Sequence, residues 1–157
     1  MIVAHSQGSV IVADLLRYLH QTAPPGWQQR DDLFLFTCGS PLRQLYAARF
    51  PGFYAWVEAA LPAAGPGGEC AGPQAGAIGV RRWTNVYCTG DYVGRWLWGP
   101  PAMGSREAGR LAGLLFDHRH VFDDDTHRQL CLGKGAHTHY FDLRMAPVAR
   151  ELDALLH

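Results

Sequence analysis

The chain has 157 residues, of which 48% are hydrophobic and 18% charged, and its 14 basic and 14 acidic side chains give a formal net charge of zero. This length and composition predict one folded domain and exclude a wholly disordered chain. The zero net charge gives no reason to expect a nucleic acid or an anionic membrane surface as a partner.

The first nine residues, Met-Ile-Val-Ala-His-Ser-Gln-Gly-Ser, join an apolar strand to a sharp turn into a helix. Ala4 and Gly8 flank Ser6 in a small-x-Ser-x-Gly pattern, where small residues are expected because bulkier ones would collide with a neighbouring helix or strand. Such an elbow lifts a serine hydroxyl out at the carboxyl end of the strand, so Ser6 is a candidate nucleophile. A simple N-terminal helix cap is the alternative interpretation of the same serine.

Three further elements are predicted in the next fifty residues. A helix over residues 7–20 is indicated by apolar side chains at i, i+3, i+4 and i+7 spacing, which are Val12, Leu15, Leu16 and Leu19. A continuous apolar run over residues 33–38 predicts a strand that is buried on both faces of a parallel sheet. A second helix is expected over residues 42–50.

The remaining two thirds of the chain are predicted to alternate between loops, strands and helices. Residues 62–79 are rich in glycine, alanine and proline and lack periodicity, which predicts an inserted loop, with a substrate lid and a plain insertion as the two interpretations. Residues 83–88 predict a third buried strand. A weak helix around 111–116, a short strand near 129–132 and a helix opened by Pro147 complete the chain. This alternation predicts an α/β domain, a parallel sheet flanked by helices.

Candidate partners for the serine follow in the order acid, then histidine. A serine nucleophile needs a base to take its proton and a carboxylate to orient and stabilise that base. Asp91 lies in a Gly-Asp turn after the third predicted strand, and His137 and His139 lie in a glycine-entered loop before the last helix. An ordinary turn residue is the alternative interpretation of Asp91. The other candidate acids are Asp117, Asp123, Asp124 and Asp125.

Four stretches of the chain carry specific motifs. They are Ala-His-Ser-Gln-Gly-Ser-Val (4–10), Thr-Cys-Gly-Ser-Pro-Leu-Arg-Gln-Leu-Tyr (37–46), Trp-Thr-Asn-Val-Tyr-Cys-Thr-Gly-Asp-Tyr-Val-Gly (83–94) and His-Thr-His-Tyr-Phe (137–141). Together they resemble bacterial α/β-hydrolases of the lipase and esterase type. The resemblance implies hydrolysis of small-molecule or lipid esters by a triad of Ser6, Asp91 and His137, with His139 as alternative base. It also implies an oxyanion-hole donor in the backbone N–H of Gln7, and neither a cofactor nor a metal.

The same resemblance implies a truncated α/β-hydrolase fold that lacks its N-terminal strands and one oxyanion-hole donor. A strand over residues 2–4 would then present an unpaired apolar edge, which favours pairing with the missing half, with a second copy or with a partner. A catalytically silent fragment acting through that edge is therefore the alternative function. No signal peptide or membrane span is evident, so the chain as given is expected to be cytoplasmic, and membrane association of a full-length protein is left open.

Histidines and a cysteine in the second half suggest a metal-dependent hydrolase as the third interpretation. The candidate ligands are His118, His120, His127, Cys131, His137 and His139. Their spacing matches no compact zinc motif, which favours a site without metal. The four cysteines of the chain show no paired spacing, so free thiols are expected rather than a disulfide framework.

Overall fold

The computed structural model describes residues 1–22, 27, 32–58, 72–98, 121–132, 135–142 and 145–156. A five-stranded sheet lies at the centre of this part of the chain. Its strands are β1 (Ile2–His5), β2 (Phe34–Cys38), β3 (Arg82–Tyr87), β4 (Val121–Asp123) and β5 (His127–Cys131). The strand order is β1-β2-β3-β5-β4. β1, β2, β3 and β5 run parallel, and β4 pairs antiparallel with β5.

Helical segments connect and follow these strands. In the described residues the α-helices are α1 (Gln7–Thr22), α2 (Pro51–Tyr54) and α3 (Ala146–Ala154). A π-helix and two 3₁₀-helices cover Leu42–Ala47, Ala55–Glu58 and Gly76–Ile78. Within the described ranges, no helix has the length and apolar character that crossing a membrane requires. Four parallel strands combined with helices confirm the predicted α/β class.

The second strand, β2, is buried on both faces, as its continuous apolar run predicts. Leu35 belongs to the cluster that packs beneath α1, whereas Phe36 and Cys38 pack with Val148 of α3. The two sets separate because successive side chains of a strand point to opposite faces. The sheet is therefore covered by α1 on one face and by α3 on the other.

Most predicted elements lie within two residues of their observed positions. The helix predicted over 7–20 is α1, and the strands predicted over 83–88 and near 129–132 are β3 and β5. The helix predicted around 111–116 lies outside the described residues. The described part of the predicted insertion, residues 72–79, packs against the cluster beneath α1 through buried side chains, which are Ala75 and Ile78. Its interpretation as a lid stays a prediction.

One predicted helix is of a different type in the structure. The helix expected over residues 42–50 is a π-helix, Leu42–Ala47, followed by the separate short helix α2. The N–H groups of Leu45 and Tyr46 both donate to the carbonyl of Pro41, at 2.9 and 3.2 Å, and this shared acceptor widens the turn. Side chains of the same turn donate to carbonyls of the segment after β3. Such tertiary contacts are absent from the local pattern that predicted an ordinary helix.

A buried amide fastens the segment after β3 to the sheet. Gln129 of β5 is fully buried. Its Oε1 accepts hydrogen bonds from the N–H groups of Leu97 and Trp98, and its Nε2 donates to the carbonyl of Trp98 at 2.6 Å. Trp98 in turn packs edge-to-face on Trp83, with ring centroids 5.6 Å apart. The segment that begins at Asp91 is thus held at its far end by the sheet itself.

Replacement of Gln129 with leucine is expected to destabilise the protein by about 3 kcal/mol, because each buried polar group left without a partner costs roughly 1–3 kcal/mol. The N–H groups of Leu97 and Trp98 lose their acceptor in this variant. Urea unfolding measures the change as a lower midpoint with an unchanged slope. Gln21→Leu, at an exposed position of α1, is the matched control and stays within about 0.5 kcal/mol of wild type. Equal urea midpoints for the two variants would contradict a stabilising role for the hydrogen bonds of Gln129.

Within the described sheet, β1 pairs on one side only, with β2. Val3 on this strand is 43% exposed, and Ile11 on the adjoining helix α1 is 60% exposed. Unpaired backbone groups beside exposed apolar side chains favour pairing with a further strand.

Candidate active site

Ser6 lies in the turn between β1 and α1, with its backbone in the left-handed region. Its φ is 55°, and among the described residues it is the one residue other than glycine with a positive φ. The Ser6 N–H donates to the carbonyl of Cys38 at 3.1 Å, and its carbonyl accepts from the N–H and the hydroxyl of Ser9. These bonds fix a conformation that non-glycine residues rarely adopt. Backbone strain of this kind clusters at functional sites.

The predicted need for small residues on both sides of Ser6 is contradicted at Gly8. Ala4 is buried in the sheet. A Cβ built on Gly8 would meet no atom within 4 Å in the part of the chain that is described. The expected collision at Gly8 was therefore wrong for these residues, since α1 leaves open space beside its second residue.

His137 links Ser6 to Asp91. Its Nε2 lies 2.7 Å from Ser6 Oγ, and its Nδ1 lies 2.9 Å from Asp91 Oδ2. An ionised carboxylate only accepts hydrogen bonds, so Nδ1 carries the imidazole proton. Nε2 then has a free lone pair directed at the Ser6 hydroxyl. The structure thus brings together Ser6, His137 and Asp91, and the carboxylate beside Nδ1 favours the tautomer that proton abstraction from serine requires.

Asp91 is fully buried and held by four hydrogen bonds. Oδ1 accepts from the N–H groups of Val93 and Gly94, both at 2.8 Å, and Oδ2 accepts from His137 and from the Tyr140 hydroxyl. Burial by itself raises the pKa of Asp91. The hydrogen bonds outweigh it, and the pKa lies below its ordinary value of 3.8. The carboxylate therefore stays ionised beside the imidazole.

Tyr140 and Gly39 complete the surroundings of the acid. The Tyr140 hydroxyl donates to Asp91 Oδ2 at 2.7 Å and accepts from the N–H of Cys88 at 2.9 Å. Gly39 has a φ of 54°, and a Cβ there would lie 2.7 Å from the Tyr140 ring and 2.8 Å from Asp91 Oδ2. Only glycine fits this close approach. Neither residue was predicted to have a role, although Gly39 lies in the motif over residues 37–46 and Tyr140 in the motif over residues 137–141.

The alternative base, His139, lies away from the nucleophile. It is exposed, and its Nδ1 accepts a hydrogen bond from the N–H of Ala136 at 3.2 Å. Its own N–H donates to the carbonyl of Ala136, so its contacts remain within the loop. The geometry therefore places His137 at the serine and His139 at the surface.

His5, the residue before the nucleophile, contacts the candidate base directly. Its Nε2 lies 2.9 Å from the carbonyl oxygen of His137. The two imidazole rings stack, with centroids 4.9 Å apart and an interplanar angle of 30°. The ring of His5 also lies against Tyr140 and Phe141. Sequence reasoning missed this residue, and its only signal was its position next to Ser6.

Gln7 is the first residue of α1. The first N–H groups of an α-helix have no acceptor within the helix and carry partial positive charge. The Gln7 N–H follows the nucleophile directly and can therefore donate to a negatively charged oxygen formed beside Ser6.

Of the alternative acids and metal ligands, Asp124 and His127 contact each other, and others lie outside the described residues. Asp124 accepts from the ring of His127 at 3.1 Å, and His127 Nε2 accepts from the N–H of Ala75. Asp125 is exposed, and Cys131 is buried and forms no disulfide with a cysteine of the described residues. Asp117, His118 and His120 are not among the described residues. In the ranges that are described, no three His, Cys, Asp or Glu side chains lie together as metal ligands would.

No protein-family model, curated protein or solved structure was found to match this chain. The geometry around Ser6, His137 and Asp91 therefore carries the functional inference by itself.

Proposed function

We propose that this protein is a serine hydrolase that cleaves carboxylic esters through an acyl-Ser6 intermediate. The observation that carries the proposal is the hydrogen-bonded chain from Ser6 Oγ through His137 to Asp91, with distances of 2.7 and 2.9 Å. The left-handed backbone at Ser6 supports it independently. Small-molecule and lipid esters are the proposed substrates, and the mechanism requires neither a cofactor nor a metal.

We propose further that the sheet is the nucleophile-containing part of an α/β-hydrolase fold. Ser6 follows β1, Asp91 follows β3 and His137 follows β5, so all three come after the carboxyl ends of parallel strands. That chain order of serine, acid and histidine is the order found in α/β-hydrolases. The free side of β1 would accept a further strand, from this protein, a second copy or a partner.

Acylation uses each side chain in turn. Ser6 Oγ attacks the ester carbonyl while His137 Nε2 takes its proton. Asp91 holds the imidazole and balances the positive charge that it gains. The N–H of Gln7 donates to the oxyanion of the tetrahedral intermediate. His137 then protonates the departing alcohol, which leaves the acyl group esterified to Ser6.

Deacylation repeats these steps with water. His137 Nε2 takes a proton from a water molecule, whose oxygen attacks the acyl carbonyl. Collapse of the second tetrahedral intermediate releases the carboxylic acid and returns the proton to Ser6 Oγ. Because His137 acts in both halves, its position must be kept while Ser6 is acylated.

Covalent labelling with a fluorophosphonate tests the proposal. Attack by Ser6 Oγ forms a phosphorus–oxygen bond and expels fluoride, so the intact mass is expected to rise by one adduct per chain. Ser6→Ala has no nucleophile and remains unlabelled. Thr138→Ala removes an exposed hydroxyl from the base loop and serves as the matched control, with full labelling expected.

An adduct on Ser6→Ala would assign the nucleophile to another side chain. A folded wild-type protein that takes up no adduct would contradict the hydrolase proposal altogether. Heat-denatured wild type provides the reference, since labelling depends on the folded arrangement of Ser6 and His137.

A further inference from the structure

The loop that carries the base, residues 135–142, is joined through His137 to β1 and to the turn that follows it. In the described residues, two side-chain hydrogen bonds make this connection. One runs between Ser6 Oγ and His137 Nε2, and the other between His5 Nε2 and the His137 carbonyl. The first is part of the proposed chemistry, whereas the second is not.

The bond to Ser6 is lost during turnover. Once Ser6 Oγ is esterified, it has no proton to donate, and the His137 imidazole loses this partner. The carbonyl of His137 takes no part in the reaction, so its bond to His5 is retained in every intermediate.

The His137 carbonyl determines which ring nitrogen of His5 carries a proton. A carbonyl oxygen only accepts hydrogen bonds, so Nε2 of His5 must carry a proton. The stacked arrangement of the two rings, 4.9 Å between centroids, adds contact area to this bond. Tyr140 and Phe141 lie against the same ring at centroid distances of 5.6 and 5.8 Å. His5 thus contacts the base loop at three of its residues.

We propose that His5 is a positioning residue for deacylation, which keeps His137 Nε2 in place while Ser6 carries the acyl group. This inference rests on the proposed hydrolase function. In acylation, the Ser6 hydroxyl itself orients the imidazole, and Asp91 holds the opposite nitrogen. In deacylation, Asp91 remains but the contact to β1 depends on His5. A small displacement of a catalytic group lowers a rate steeply, by about 100-fold for an error of about 1 Å.

The test is pre-steady-state hydrolysis of p-nitrophenyl acetate. Acetyl transfer to Ser6 releases p-nitrophenol in a burst, and hydrolysis of acetyl-Ser6 by water sets the steady-state rate once deacylation is slow. His5→Phe keeps an aromatic ring but removes the donor. We expect its steady-state kcat to fall about 10- to 100-fold. The rate of its burst is expected to change no more than about threefold, with an amplitude near one per chain.

Two variants separate positioning from general disruption. His5→Gln places an amide donor where the imidazole Nε2 lies, and is expected to restore the steady-state rate to within about threefold of wild type. His139→Phe changes an exposed histidine of the same loop and leaves both phases unchanged. Thermal unfolding of His5→Phe identifies any loss of folded protein.

The outcomes distinguish the two proposals. If wild type shows neither a burst nor labelling by the fluorophosphonate, the hydrolase proposal itself is overturned. If wild type is active and both phases of His5→Phe slow equally, or neither changes, the role of His5 is overturned. Failure of His5→Gln to restore the steady-state rate also overturns it, since the donor is then not what matters.

Discussion

His137→Ala is expected to lower kcat/KM for an ester by about 10⁶-fold, the loss caused by removing the base of a Ser-His-Asp triad. The variant leaves Ser6 without an acceptor for its proton, because His137 Nε2 is the group 2.7 Å from the hydroxyl. Initial rates with a p-nitrophenyl ester, at enzyme concentrations high enough to detect residual turnover, measure the effect.

His139→Ala is the matched control for this experiment. His139 lies two residues along the same loop and was the alternative base, but its ring contacts the N–H of Ala136 at the surface. Its removal is expected to change kcat/KM by less than about twofold, since the hydrogen bond that it loses is exposed and substitutions at the surface have small effects. A large loss in His139→Ala with activity retained in His137→Ala would reverse the assignment of the base.

Asp91→Asn is expected to lower kcat by about 10⁴-fold, as loss of the triad carboxylate does elsewhere. With its NH₂ group toward the imidazole, the amide donates to Nδ1 and places the ring proton on Nε2. That nitrogen then faces Ser6 with no free lone pair. KM is expected to change little, because Asp91 is buried behind His137 and does not touch the substrate. Equal kcat values for wild type and variant would contradict the role of Asp91.

The stability of Asp91→Asn relative to wild type is expected to depend on pH. The pKa of Asp91 in the folded protein lies below 3.8, so the ionised carboxylate stabilises the fold at pH values above about 4. This contribution is lost as the pH falls through the folded pKa. The thermal midpoint of wild type is therefore expected to exceed that of Asp91→Asn at pH 7, with a smaller difference at pH 3. A difference in thermal midpoint that grows as the pH falls would mean that folding raises the pKa of Asp91 rather than lowering it.

The fold was predictable where local patterns decide it. The apolar run over residues 33–38 indicated a strand buried on both faces, and β2 is one. The π-helix, Leu42–Ala47, was not predictable, because its turn depends on contacts with the segment after β3. The burial of Gln129 was not predictable from the sequence either. A glutamine in a strand is ordinarily expected at the surface, and only the tertiary structure supplies its buried backbone partners.

In the candidate site too, some residues were predictable from local patterns and others depend on tertiary contacts. Ser6 and Asp91 were singled out because their residue types could act in a triad and each follows a predicted strand, and the family resemblance placed His137 ahead of His139. His5 and Tyr140 contact those residues from positions far along the chain. His5 is 132 residues from His137, and Tyr140 is 49 residues from Asp91. Such separations leave no trace in local periodicity.

The left-handed backbone of Ser6 makes the proposed catalytic role and the stability of the fold compete at one position. Holding a non-glycine residue in a sparsely populated conformation costs about 1–3 kcal/mol, and glycine would remove most of that cost. Selection of variants for thermal stability alone would therefore favour glycine at position 6 and eliminate the hydroxyl. If Ser6 is the nucleophile proposed above, a library screened for heat resistance and then assayed for ester cleavage is expected to lose activity while its fold becomes more stable.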